Sequence, residues 1–534
     1  MKRTFGILFA IFITCFAKGK IVAGKTYVII PKRNADKSLL VRNSSLEDKA
    51  DIVVWTNIKV PSQQWEAVAS DNGTFLFRNV YTGKLLGRKT GNNTTTAAQI
   101  TDESSAQWTL IPVKGADNQY MLSPASKDIF LTAVDETDGS LPMMEARKTG
   151  SDKNLQCWKF VETEPKKSLS ASDRDLMLKE WTEQFVRQRS TGAITYGDGG
   201  GWGDAEMMET FLDAYETTGN KECLRLFTEA FSYFKKNVGD DWLRLVYTDN
   251  YKWYGHDFND DVMWMIIASV RAFHLTGTKN YLFLAKKNFD AIYERAYNKW
   301  GMLRWAESSG DKNGTNSCIN GPAEVAACYI AQASGDSSYY EKARKLYENQ
   351  RRYLFNASTG QVYDSFVWNE STDKPGKYNH WASTYNQGTM LGAALLLYDY
   401  YHDSRYRQDA VRIMDYTQKN LCDANGIVKV CQTPEGDLCG FKGILMRYAR
   451  RFACTMQDCS VAEWLRKNAL HAYCNQNSKH IVCSAWLTKS AEDFKFEGKD
   501  FSNQPFGCST VLSVLFNAPL TSQDRGFETF HFAE

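Results

Sequence analysis

No CxxC pair occurs anywhere in the 534 residues, so the sequence offers no zinc ribbon. The glycine-rich run at 197–203 follows no strand of a βαβ unit, which removes a phosphate-cradling loop and with it a bound nucleotide. The seven histidines are scattered, and no Ser, His and Asp set stands out. Charge of neither sign is in excess. The 64 Lys and Arg against 62 Asp and Glu leave +2, which gives neither a basic field for nucleic acid nor an acidic tail. Beyond the N-terminus no segment reaches membrane-spanning length.

What is present points outward. Lys2 and Arg3 precede an apolar run over 5–16, followed by small residues at Ala17, Gly19 and Ala23. That is the pattern of an export signal, cleaved between Ala17 and Ala23, and too short for a stable anchor. Residues 12–14 make a poor lipobox for Cys15. An exported protein, secreted, periplasmic or at the cell surface, is therefore expected. Of the 13 cysteines, twelve remain after the signal, eight of them between 422 and 508. An even number in an exported chain fits disulfides, with a connectivity that spacing leaves open. The 15 Trp and 27 Tyr are a surplus that can line sugar subsites, although most such residues serve as core.

The length implies more than one core. We divide the chain into a signal (1–23), a β domain (24–162), a linker (163–171), a helical domain (172–520) and a tail (521–534). In the β domain, short alternating runs such as Thr26-Tyr27-Val28-Ile29-Ile30 are separated by Gly, Asn and Asp. Three tryptophans close three similar stretches, as Gln63-Gln64-Trp65, Ala106-Gln107-Trp108 and Gln156-Cys157-Trp158, spaced 43 and 50 residues apart. Each stretch carries an earlier pair: Leu39-Leu40, Leu85-Leu86 or Phe130-Leu131. A threefold repeat of four short strands closes as a β-trefoil. The region resembles the ricin B-type lectin family, whose mark is Q-x-W; the second copy departs from it at Ala106. These tryptophans are read as the trefoil centre, and the domain as either a sugar binder or a spacer.

Past the linker, Ser172 and Asp175 read as a capping box. A turn phrase then recurs: Thr218-Gly219-Asn220, Thr276-Gly277-Thr278 and Ser334-Gly335-Asp336, with the glycines 58 residues apart each time. Degenerate copies follow at His402-Asp403-Ser404 and Gln457-Asp458-Cys459. A fixed period with a turn signature marks a repeated supersecondary unit, here a helical hairpin. Twelve helical patterns alternate between apolar-all-round and amphipathic, the first kind needing burial on every side. Six inner and six outer helices form an (α/α)6 toroid. Inner-to-outer links are short; outer-to-inner links, at about 190–202, 239–258, 298–320, 356–384, 422–439 and 476–503, are long, as functional loops are. They open on one face above the inner-helix N-termini.

On that face stands Trp253-Tyr254-Gly255-His256-Asp257-Phe258-Asn259-Asp260-Asp261. A helix N-terminus stabilises a carboxylate nucleophile. A neighbouring carboxylate is pushed towards its protonated form. One ionised and one protonated acid is what glycoside hydrolysis needs, and carboxyl groups ~5–5.5 Å apart suit retention. Asn and Asp at a helix start are also favoured as caps with no chemistry; the long-loop face and the aromatics nearby favour function.

Residues 170–518 resemble glycoside hydrolase family 76, the α-1,6-mannanases. The matching pieces are Asp257-Phe258-Asn259-Asp260-Asp261-Val262-Met263-Trp264-Met265, Asn320-Gly321-Pro322-Ala323, Thr384-Tyr385-Asn386-Gln387-Gly388 and Phe441-Lys442-Gly443-Ile444. The resemblance implies a retaining endo-hydrolase of α-1,6-mannan that needs no metal or cofactor, with Asp260 as nucleophile and Asp261 as acid/base. It implies substrate contacts at Tyr385, Asn386, Gln387, Phe441 and Lys442. Candidate contacts on the same face are Trp202, Trp253, Tyr254, His256, Asn316, Asn320 and Asp364. Family members often carry Lys before Asn316, where Thr315 stands here. A monomer is expected, with polysaccharide as its partner. Transglycosylation and a non-catalytic glycan-binding protein are the alternatives.

Overall fold

The computed structural model describes residues 20–530 except 71–72, 92–93, 125–127, 191, 198–200, 236–252, 254–255, 308–313, 370, 522–523 and 529. Residues 1–19 of the proposed signal and Tyr254 lie outside the described residues. The chain forms two compact units, Met1–Pro165 and Lys166–Glu534.

The first unit is all-β apart from short 3-10 turns, with twelve strands among its described residues. Its first strand, Thr26–Pro31, pairs antiparallel with Gln64–Ala69 on one side and with the last strand, Trp158–Thr163, on the other. Beginning and end of the unit therefore meet. Trp65, Trp108 and Trp158 are fully buried in one core. Their indole N–H groups donate to the carbonyls of Leu39 (3.3 Å), Leu86 (2.7 Å) and Leu131 (2.8 Å). The three repeats thus make one interaction three times, and each indole satisfies its only polar atom inside the core. The glutamine of the repeat has its own task. Gln63 accepts from Ile58 N and donates to Thr56 O; Gln156 accepts from Lys148 N and donates to Ala146 O. Ala106, buried in the second copy, has no side chain for this tie.

The second unit is helical. Its described helices are α1 Ala171–Phe185, α2 Trp202–Thr218, α3 Lys221–Tyr233, α4 Asn259–Thr276, α5 Lys279–Ala296, α6 Ser317–Ser334, α7 Ser338–Tyr353, α8 Thr384–Tyr401, α9 Ser404–Asn420, α10 Phe441–Met456, α11 Cys459–Cys474 and α12 Pro505–Asn517. The capping box at α1 uses Ser170 and Asp173, two residues before the pair read from the sequence. The run Ser170-Ala171-Ser172-Asp173-Arg174-Asp175 holds two overlapping Ser-x-x-Asp frames. The frame that forms sits next to the buried Leu169.

Every residue of α8 from Thr384 to Leu397 is buried. In α3 only Cys223, Leu226, Phe227, Ala230 and Phe231 are, a single stripe at helical spacing. The buried helices pack in a closed cycle: α2 on α4, α4 on α6, α6 on α8, α8 on α10, α10 on α12, and α12 back on α2. The others lie outside, each against its preceding inner helix, with α1 against α12. Close approach within the cycle depends on small residues. A Cβ at Gly392 of α8 would stand 2.3 Å from the Tyr448 ring of α10.

The repeated turn phrase is a helix C-cap. Gly219, Gly277 and Gly335 have φ of +72°, +70° and +72°, and their N–H groups bond the carbonyls of Tyr215, Phe273 and Ala331. His402 and Gln457 occupy the same left-handed position at φ +56° and +53°. The twelve described cysteines are free thiols, so the expected disulfides are not formed. Among the described residues no helix is long and apolar enough to cross a membrane.

Candidate active site

First turns of the inner helices converge at one end of the cycle. Trp202, opening α2, donates its indole N–H to Asp437 Oδ1 at 3.0 Å, just ahead of α10. Its ring lies 6.1 Å from Phe441, 5.8 Å from Trp264 and 5.0 Å from Phe506. Tyr385 of α8 stacks on Phe441 of α10, with centroids 3.8 Å apart and planes at 20°. Trp381, 41% exposed, stands 6.4 Å beyond Phe441. The result is an aromatic wall, the kind of surface on which sugar rings pack.

Asp260 and Asp261 lie in the first turn of α4. The chain entering that turn is pinned. Arg295 Nη2 donates to His256 O (2.7 Å) and Asn259 Oδ1 (2.6 Å), while Asn259 Nδ2 donates to Glu307 Oε1 at 3.0 Å. His256 Nε2 lies 2.8 Å from Asp261 Oδ2. Asp260 Oδ1, in contrast, is buried with no hydrogen-bond partner. A buried acceptor left open in this way is a feature that requires an explanation. Burial pushes Asp260 well above the ordinary carboxylate range, and the neighbouring Asp261 adds to this; the Cys318 thiol and the Trp305 indole pull the other way. Asp261 is also raised by burial, opposed by its bond to His256. Asp437 pushes it further up. Desolvation thus opposes the helix terminus expected to favour the charged form, and the proton affinity of both carboxyls is raised.

Asp364 joins this cluster from the link before α8. Its carboxylate accepts from Asn386 Nδ2 (3.2 Å), Asn379 Nδ2 (3.0 Å) and Ser365 Oγ (3.1 Å), and burial raises it. Its carbonyl accepts from Ser317 N, at the start of α6.

Not every residue read from the sequence reaches this mouth. Trp253 is core, edge-on to Phe231 at 5.9 Å and Phe234 at 5.5 Å. Asn320 is fully buried, bridging Leu303 N and O and the carbonyl of Asn316. Gln387 is equally buried, accepting from Val362 N and donating to Gly360 O. Asn386 is buried and holds Asp364, with its own Oδ1 unpartnered. Asn316 is half-buried at the start of α6. Lys442 is buried, donates to Ser484 O at 2.6 Å and lies over Trp486 at 4.9 Å. These buried amides and the lysine brace the rim from behind. A first-turn position on an inner helix faces its neighbours as often as it faces the opening, and one-dimensional spacing does not separate the two.

Lys442 supplies a stability test. Burial lowers its ammonium to about 7. A lysine lowered in the folded state costs stability in full below that value, and the cost fades as pH rises towards the unfolded value of 10.5. Relative to Lys442→Met, the wild type should gain about 2 kcal/mol between pH 7 and pH 9 in denaturant titrations. A flat difference would mean that the ammonium is solvated.

Trp305, Cys318, Asp437, Trp381 and Phe506 were not singled out in the sequence. Asp437 had a usable signal, an acid four residues ahead of an inner helix, whereas Cys318 meets Asp260 through the packing of α4 on α6 and Trp305 through the link before α6, its carbonyl accepting from Asn259 N at 2.9 Å.

Two adjacent carboxyls thus open an inner helix of a closed helical cycle, at the end where the aromatic wall stands. The description Glycosyl hydrolase family 76 matches residues 166–521, and the chain belongs to that family. Residues 20–102 match the description Ricin-type beta-trefoil lectin domain-like. No curated protein matches the chain in sequence. Among solved structures, it is similar to the α-1,6-mannanase of Salegentibacter sp. HEL1_6, in an inactive variant with two adjacent aspartates replaced by asparagine and in complex with α-1,6-mannotriose. The identity is 23%, over 65% of this chain and 99% of that one, with a TM-score of 0.54. A family 76 mannosidase of Bacteroides thetaiotaomicron VPI-5482 is 18% identical over 65% of this chain and 98% of its own, TM-score 0.54. A family 76 hydrolase of a bovine Bacteroides thetaiotaomicron strain is 16% identical over 83% and 95%, TM-score 0.55. At these identities the likeness is one of fold.

Proposed function

We propose that this protein is a retaining endo-hydrolase of α-1,6-mannan backbones, acting through a covalent glycosyl-enzyme intermediate. The observation that carries the reading is Asp260 Oδ1, a buried carboxylate oxygen with no partner, beside an Asp261 bonded to His256. In this reading Asp260 is the nucleophile. With substrate bound, the proton held on the pair resides on Asp261, and ionised Asp260 attacks the anomeric carbon as the bond to the leaving oxygen breaks. Asp261 gives its proton to the leaving oxygen and later takes one from water. His256, Trp305 and Cys318 hold the pair; Trp202, Tyr385, Phe441 and Trp381 form the platform; Asp364 is a subsite carboxylate. The α-1,6-linked mannan is supported by the mannotriose complex of the Salegentibacter protein, in which adjacent aspartates are the inactivating positions.

In the same reading the helical unit is an (α/α)6 toroid, supported by the closed cycle of α2 to α12. The β unit is a β-trefoil, supported by the threefold tryptophan bond. The division at 24–162, 163–171 and 172–520, export through residues 1–23 and a monomeric state belong to it as well.

The test is digestion of linear α-1,6-mannan followed by proton NMR of the anomeric signals. Oligosaccharides released first as the α-anomer are expected. Release as the β-anomer would refute a retaining mechanism, and no release at all would refute hydrolysis.

A further inference from the structure

The carboxyl pair has a third acid beside it. Asp437 stands in a 3-10 turn, Asp437–Gly440, that leads into α10. An acid just ahead of a helix is ordinarily a cap, or a charge set against the helix N-terminus. Asp437 caps nothing: neither the turn nor α10 takes a side-chain capping bond. Its Oδ1 accepts instead from the indole of Trp202, 235 residues away in the chain, at 3.0 Å. Asp437 is exposed, and among the described residues Trp202 is its one hydrogen-bond partner, which leaves Oδ2 unoccupied.

The ring that Asp437 holds is fixed on its other sides as well. Phe506 of α12 meets Trp202 edge-on at 5.0 Å. It fits there because two glycines leave room. A Cβ at Gly440 would lie 2.0 Å from the Phe506 ring, and one at Gly203 3.0 Å from it. On the far side Trp264 lies 5.8 Å from Trp202. Trp264 is three residues past Asp261 on α4, so the two share a face of that helix, one turn apart. Trp202 therefore reaches from Asp437 to the face that carries Asp261, and the charge of Asp437 is felt at Asp261. A half-buried ring held in place, with a free carboxylate oxygen at its edge, suits a sugar. The ring takes the C–H face, and the oxygen accepts hydroxyl protons.

We propose that Trp202 and Asp437 form the subsite for the sugar on the leaving side of the cleaved bond, with Asp437 Oδ2 accepting from that sugar's hydroxyls. This rests on the hydrolase reading above, in which Asp261 gives its proton to the leaving oxygen. The sugar attached to that oxygen is the one on the Asp261 side, where Trp202 and Asp437 stand. Asp437 thus has two tasks. Oδ1 fixes the platform, and Oδ2 selects a partner with hydroxyl groups over one without them.

The test compares two substrates of the full chain: α-1,6-mannotetraose, and 4-nitrophenyl α-1,6-mannobioside, which carries no sugar on the leaving side. Asp437→Asn keeps an acceptor oxygen for Trp202 and removes the second one. It should lower kcat/KM on the tetraose about tenfold, the value of one hydrogen bond to a charged group. On the nitrophenyl substrate kcat/KM should stay within about twofold of wild type. Asp437→Ala, which also releases the ring, should fall at least as far on the tetraose. An equal fall on both substrates would reduce Asp437 to a support of the fold and overturn the proposal. So would an unchanged rate on the tetraose. If the wild type leaves both substrates intact, the hydrolase reading fails by itself. Where either substrate is left intact, calorimetric titration of Asp260→Asn protein with the tetraose decides the contact. Binding about tenfold weaker when Asp437→Asn is added supports it. Equal affinity, or no saturable binding to begin with, overturns it.

Discussion

Asp260→Asn should lower turnover on linear α-1,6-mannan by about 10⁴-fold or more while leaving binding of a short α-1,6-mannooligosaccharide within about tenfold of wild type. The amide keeps the shape of the side chain and removes the attacking oxygen. Stability should move the opposite way. Burial opposes the charge of Asp260, and its Oδ1 has no donor to compensate. A neutral isostere is therefore expected to raise the unfolding free energy by about 1 kcal/mol. This combination separates chemistry from capping, because a lost cap lowers stability by about 1 kcal/mol and leaves the reaction intact. Initial rates, calorimetric titration and thermal melting of the same variant decide the matter. Turnover retained within a few-fold would end the catalytic assignment.

The second large effect lies inside the cycle. Glu206, Glu209, Asp213 and Glu216 form a ladder along one face of α2, all but Glu216 fully enclosed. Arg447 of α10 bonds the first three at 2.8, 2.8 and 2.9 Å, and Asn517 adds a donor to Asp213 at 3.0 Å. Arg447→Met should cost about 3–5 kcal/mol, since it leaves the buried Glu206 without a counter-charge and leaves Glu209 and Asp213 to share Arg271 alone. The loss is read as a shift in the denaturant midpoint, and a loss below about 1 kcal/mol would mean that water compensates the ladder. Glu206→Gln should be far milder at neutral pH, because burial and the neighbouring acids raise Glu206 to about 7. For a carboxyl raised in the folded state, stability falls as pH rises between the unfolded value of 4.5 and about 7. The wild type should lose stability relative to Glu206→Gln across that window and hold level above it.

Much of this architecture was legible in one dimension. The turns at Gly219, Gly277 and Gly335 were visible because a left-handed helix cap restricts residue type locally, and glycine meets that restriction without strain. Alternation of all-round apolar and one-stripe helices was visible because burial acts on every residue of an element at once. The tryptophan repeat in the β unit was visible for the same reason, although the bond from each indole to a leucine carbonyl was not. The Asp260-Asp261 pair stood out because it opens an inner helix after a long link.

What the sequence determined, then, were features imposed by short-range constraints: caps, periodicities and which residues begin each inner helix. Tertiary structure alone decided which of those residues point at the opening. It turned Trp253 into the core, enclosed Lys442, Asn320 and Gln387, and brought Trp305, Cys318 and Asp437 to the carboxyl pair. It also decided the pairing of Arg447 with Asp213, 234 residues apart in the chain. The physical reason is that side-chain direction around a helix, and the desolvation that sets proton affinity, depend on which neighbours close the cycle. No local pattern of residues records that.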